Sequence, residues 1–248
     1  MENWLTYFLL IGVVLSGGFL VYFLKEKITG SLKFLLAFSG AFMLGIAALH
    51  LIPEVYANHE TYIGIFVLLG FLIQLILEYF SQGIEHGHIH AHKNASSRFF
   101  APILISLCIH AFLEGLPLAN ETLGVHTHSH GFVHSDEHSF LISILLHKFP
   151  IAITLMTLFV KSNVEMKKAF FWLIIFSLMA PLGNFVAVYF SDFFQGNGNI
   201  MNKILAIVVG MFLHISTTIL FETDESHKFN LAKLLLVISG GYVAYLVS

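Results

Sequence analysis

The chain has 248 residues, 57% hydrophobic and 11% charged, with a formal net charge of −3 and a mean hydropathy of +0.82. A water-soluble domain carries about a quarter charged residues, so this composition leaves too little polar surface to face water all round. The single cysteine, Cys108, excludes both a disulfide framework and a thiolate zinc cage.

Apolar runs occur at about 4–24, 34–52, 62–80, 99–119, 139–160, 169–190, 200–221 and 229–247. Each is near the roughly 20 residues that a helix needs to cross a bilayer. They predict an all-α integral membrane protein, a bundle of about eight transmembrane helices forming one domain over 1–248. Met1-Glu2-Asn3 lacks the cationic start of a removable signal, and the apolar run behind it is too long for one.

The second run carries Met43 and ends in His50, Pro53 and Glu54, where the i,i+4 spacing puts His50 and Glu54 on one face. They form either an intake relay or a polar helix end among headgroups. Glu78 closes the third run and is expected to snorkel to the interface. Behind it, a loop over about 82–98 holds His86, His88, His90 and His92. A period of two lines no helical face, so this tract is expected to be a flexible collector of metal. The segment over about 121–138 repeats the composition with His126, His128, His130, His134 and His138.

Ionisable groups at bilayer depth cost roughly 2.5–3.5 kcal/mol each on insertion scales, so each demands an explanation. The fourth run contains His110 and Glu114, one helical turn apart on the same face. At about 1.5 Å per residue, His110 lies about 16 Å from the start of its run, near the midplane. The fifth run contains His147 and Lys148, with His147 about 12 Å in from the opposite side. Imidazole and carboxylate are ordinary zinc ligands, and a cation would neutralise Glu114 where water cannot. Pro117 and Pro150 each follow a ligand candidate by three residues and free the carbonyls of Leu113 and Leu146. Such broken backbone is tolerated where it lines a wet cavity, although an ordinary kink is the alternative.

Structural zinc sites bind with about 10–16 kcal/mol, whereas micromolar, releasable binding is only about 8 kcal/mol. Two imidazoles, one carboxylate and a weak fourth ligand, with Met43 as its candidate, suit release. His214 in the seventh run, beside Ser216, Thr217 and Thr218, is a candidate for the onward path, though hydroxyls there could simply join helices. Gly40-Ala41-Phe42-Met43 and Gly210-Met211-Phe212-Leu213 form a weak internal echo between runs of opposite sense, the kind of inverted repeat found in transporters.

Charge sets an orientation. Lys25, Lys27, Lys33, Lys93, Arg98, Lys161, Lys167, Lys168, Lys228 and Lys233 fall on one side of the runs, and the opposite loops hold Lys203. The positive-inside rule then places both termini outside. Glu54, Glu60, Glu121, Asp136, Glu137 and Asp192 give the outer face a mildly acidic character that would attract cations.

Phe38-Ser39-Gly40-Ala41-Phe42-Met43-Leu44-Gly45 followed by His50-Leu51-Ile52-Pro53-Glu54 resembles the second helix of Zrt/Irt-like (ZIP) divalent-metal transporters. His110 through Glu114-Gly115 and His147-Lys148 through Pro150 resemble that family's fourth- and fifth-helix motifs. The resemblance implies metal uptake toward the cytoplasm, with His110, Glu114 and His147 as ligands and Met43 as a further one. Family members with a two-metal centre have polar or acidic residues at Ala111 and Lys148 and a bridging glutamate at Ile151. A protonated lysine cannot ligate a metal, so a single ion is expected, with Lys148 standing in for the second as a tethered positive charge.

The resulting expectation is a zinc transporter of the cell membrane rather than an enzyme, moving Zn2+ as its cargo, with Fe2+, Mn2+ or Cd2+ as alternatives that nitrogen and oxygen ligands do not exclude. No organic cofactor and no nucleic acid partner are expected. The partners are the metal ion and membrane lipid, and a homodimer stays open. The competing reading is an intramembrane zinc hydrolase, which would need a general base beside a metal-bound water.

Overall fold

The computed structural model describes residues 2–24, 29–57, 60–89, 91–92, 97–123, 138–196, 200–222 and 231–247, and among these it contains helices and turns but no strand. In chain order the helices are α1 (Glu2–Leu24), α2 (Thr29–Ile46), a π turn (Ala47–Leu51), α3 (Ile52–Ala57), α4 (Ile63–Ser81), a 3-10 turn (Ile84–His86), α5 (Ser97–Gly115), α6 (Leu118–Leu123), α7 (Ser139–Lys161), α8 (Met166–Tyr189), α9 (Ser191–Gly196), α10 (Ile200–Glu222) and α11 (Leu231–Val247). Among the described residues, seven helical stretches are long and apolar enough to cross a membrane: Trp4–Leu24, Ser31–Ala57, Ile63–Ser81, Arg98–Asn120, Ser139–Lys161, Met166–Tyr189 and Ile200–Phe221. The eighth expected run is the shorter α11, of 17 residues.

The exterior is apolar. Trp4, Phe8, Tyr79 and Phe221 are among many large hydrophobic side chains left exposed, a surface that water would drive together and that lipid accepts. Polar groups go inward instead: Gln74, Glu85, His110, Glu114, His147, Lys148 and Asn184 are all buried. The molecule is a multi-pass helical membrane bundle.

Two sets of helices compose it. In one, α4 lies along α10, and α2 packs against α10 and α11. In the other, α5 lies along α8, and α1 packs against both α7 and α8. Contacts of α2 with α7 and of α4 with α5 join the sets. Small residues let the backbones approach, as in other membrane helix pairs. A Cβ at Gly70 or Gly210 would collide with the carbonyl of Ile207 or Val67 across the α4–α10 contact. One at Gly115 or Gly183 would collide with the carbonyl of Ala180 or Phe112 across the α5–α8 contact. Exchanging α1, α2, α4 and α5 with α8, α10, α11 and α7 in turn carries the α2–α11 pair onto α10–α4 and the α1–α7 pair onto α8–α5. The short echo between Gly40–Met43 and Gly210–Leu213 thus sits on two helices, α2 and α10, with reciprocal surroundings.

Backbone chemistry explains where helices depart from the apolar runs. Pro53 has no N–H to give, and the ladder ahead of it widens so that the N–H of Ile52 reaches the carbonyl of Ala47. The second span therefore continues beyond 52, through α3 to Ala57. The fourth run breaks after Gly115, because Pro117 cannot continue the ladder. There the N–H of Leu116 turns back to the carbonyl of Leu113 at 3.3 Å. The carbonyl expected to be freed by Pro117 therefore has a donor. Pro150, by contrast, lies inside an unbroken α7.

Candidate metal site

His110 and Glu114 occupy one face of α5, one turn apart, with His110 Nε2 at 2.7 Å from Glu114 Oε1. The close α5–α8 contact at Gly115 fixes the helix immediately beside Glu114. From α7, His147 brings its ring to 6.1 Å from that of His110, centroid to centroid, at an interplanar angle of 80°. One ligand atom from each of His110, Glu114 and His147 lies within 4.8 Å of the others, and all three residues are fully buried. The expected convergence of the fourth and fifth runs is therefore what the fold produces.

Lys148 does not snorkel. Its Nζ is 2.7 Å from Glu114 Oε2 with the side chain 2% exposed, and it lies 5.2 Å from the centroid of the Phe176 ring on α8, within cation–π range. Glu114 thus turns one oxygen to His110 and the other to a fixed positive charge. Both ring nitrogens of His147 lack a hydrogen-bond partner among the described residues. A buried polar group is normally partnered, and a divalent cation between His147, His110 and Glu114 would give one of these nitrogens its partner. This donor set of two imidazoles and a carboxylate fits zinc.

Two residues at the sites went unassigned or misassigned in the sequence. Gln74, buried on α4, places its Oε1 at 2.9 Å from His110 Nδ1; its only signal was an amide inside an otherwise apolar run. Glu78, expected to snorkel, instead turns inward. Its Oε1 is 3.1 Å from His86 Nε2 and its Oε2 is 3.3 Å from His214 Nδ1. Glu78, His86 and His214 form a second group whose ligand atoms lie within 4.8 Å of one another. Gln74 and Glu78 are i,i+4 on α4, so the two groups meet one helix face about one turn, roughly 6 Å, apart.

The expectation of a uniformly flexible histidine tract after α4 fails at its first member. Gln82, Gly83 and Gly87 have φ of 57°, 72° and 87°, the left-handed conformations that glycine adopts at little cost. They reverse the chain tightly enough to bury Ile84, Glu85 and His86 in the bundle, where the turn packs on α4, α7 and α10. Ser81 Oγ donates to Glu85 Oε2 at 2.7 Å. His88 and His92 stay exposed, and His90 lies outside the described residues. Of the other tract, His138 is exposed just before α7, and His126, His128, His130 and His134 lie outside the described residues.

His50 falls in the π turn and Glu54 in α3, both half-buried; neither joins the two groups. Met43 is fully buried on α2, which packs against α7. Glu60 is not a free outer acid, because its Oε1 is 3.2 Å from Lys203 Nζ.

A family model described as ZIP zinc transporter matches residues 88–248. The chain belongs to that family. It is also 26% identical over 158 residues to a zebrafish (Danio rerio) protein named zinc transporter ZIP1. That match takes in 63% of this chain and 49% of the relative, so it spans about half of the relative's length. The family match includes His110, Glu114, His147, Lys148 and His214. Met43, His50, Glu54, Gln74, Glu78 and His86 lie before it.

Proposed function

We propose that this ZIP-family chain carries zinc across the cell membrane toward the cytoplasm, as one transmembrane domain with both termini outside. The observation that carries this reading is the burial of His110, Glu114 and His147 at mid-span with their ligand atoms within 4.8 Å. The ion arrives past Glu54 and His50, is held by His110, Glu114 and His147 with Met43 as a weak fourth ligand, and leaves past Glu78, His86 and His214. Iron, manganese and cadmium could use the same ligands.

Lys148 takes the place of a second metal ion. One unit of fixed positive charge on Glu114 Oε2 leaves Oε1 for the cargo, and it weakens the pull of the carboxylate on the ion, which suits release. The same geometry counts against the hydrolase alternative: both oxygens of Glu114 are already engaged, so Glu114 has none free to act as base for a metal-bound water. Lipid covers the apolar exterior, and a homodimer would bury part of that surface.

The test is radiolabelled zinc uptake into liposomes holding the purified protein. Saturable uptake that disappears in His147→Ala, with the protein still inserted, is the expected result. Unchanged uptake in that variant overturns the assignment of the site.

A further inference from the structure

The neutral imidazole ring has one N–H and one lone pair, so the partner of one nitrogen decides what the other can do. In His110, Nε2 faces Glu114 Oε1 at 2.7 Å and Nδ1 faces the amide oxygen of Gln74, Oε1, at 2.9 Å. An amide oxygen can only accept, so this contact calls for the proton on Nδ1. Nε2 then keeps its lone pair toward Glu114 Oε1, an arrangement that a cation between the two groups stabilises. The amide thus holds the ring in the sense that an arriving ion needs.

We propose that Gln74 is a positioning residue for the ion. Its amide oxygen accepts the Nδ1 proton of His110 and fixes the tautomer, so that Nε2 is the ligating nitrogen. Gln74 stands on α4 and His110 on α5, in different helix sets, so the contact also registers the ligand helix against its neighbour. This inference rests on His110 being a ligand, as proposed above.

Gln74→Met keeps the length of the side chain and removes both hydrogen-bonding functions, and an apolar group in a buried site does not threaten folding. Losing such a supporting contact typically weakens metal binding by about 10–100-fold, and that is the shift expected in zinc titrations of the protein in nanodiscs. Gln74→Glu keeps an accepting oxygen opposite Nδ1, so it should hold zinc at least as tightly as the wild type, a rescue that a packing role would not give. Isotope-labelled histidine spectra, assigned with His110→Ala, read the tautomer directly. The His110 proton should sit on Nδ1 in the zinc-loaded protein. Wild-type zinc affinity in Gln74→Met, or zinc on Nδ1, overturns the proposal while leaving the site intact. Undiminished zinc binding in both His110→Ala and His147→Ala would overturn the site itself, and Gln74's role with it.

Discussion

Glu114→Gln removes a charge and nothing else of size, but it strands a neighbour. Lys148 is 2% exposed and has Glu114 Oε2 at 2.7 Å. Removing one partner of a buried pair costs about 3–5 kcal/mol, because the other charge is left without compensation. At about 1.4 kcal/mol per factor of ten, this lowers the folding equilibrium roughly 100- to 1000-fold or more. Loss of transport in this variant alone is therefore ambiguous between a missing ligand and a damaged fold. Adding Lys148→Met removes the stranded ammonium and keeps an apolar stem over Phe176. The double variant should regain most of the lost stability and still carry no saturable zinc flux. Thermal unfolding in nanodiscs and zinc uptake into liposomes, measured on the same preparations, separate the two effects. A single variant as stable as wild type refutes the dependence of Lys148 on Glu114. Wild-type transport by the stable double variant refutes the ligand role of the carboxylate.

Lys148→Asp combined with Ile151→Glu restores acidic groups on the buried face of α7 and should raise bound zinc from one ion to two per chain by equilibrium dialysis; stoichiometry that stays at one rejects Lys148 as the substitute for a second ion. His86→Ala should lower maximal zinc flux several-fold, because His86 joins Glu78 and His214 and no other described member of its tract does, whereas serine at His88, His90 and His92 together should leave flux within a few-fold; the reverse ranking would move the path into the loop. In a Cys108→Ala background, Asn94→Cys should be shielded from an impermeant thiol reagent in intact cells and Gly131→Cys labelled, as the charge asymmetry of the loops demands; the opposite pattern inverts the direction of transport.

The membrane class and the helices that carry the candidate ligands were legible because both follow from local chemistry. Twenty apolar residues in a row must be satisfied as a helix in lipid, and a histidine four residues before a glutamate shares its face whatever the helix packs against. The depth argument worked for the same reason: rise per residue is fixed, so His110 and His147 could be matched in height before any packing was known. Pro117 marked the end of α5 because a missing N–H acts on its own segment.

What remained was decided by packing between distant helices. From the chain alone, Lys148 is a long cation in a span, free to snorkel or to pair, and only the approach of α5 to α7 and α8 sets its ammonium against Glu114 and Phe176. Glu78 looks like an interfacial carboxylate until the left-handed turn at Gln82 and Gly83 folds His86 back and α10 presents His214. Gln74 gains a partner only where α4 crosses α5. Each of these depends on two or more segments meeting at a distance of about 3 Å, the range at which hydrogen bonds and ion pairs act. Periodicity along one helix states which face a residue occupies, and tertiary structure alone states what stands opposite.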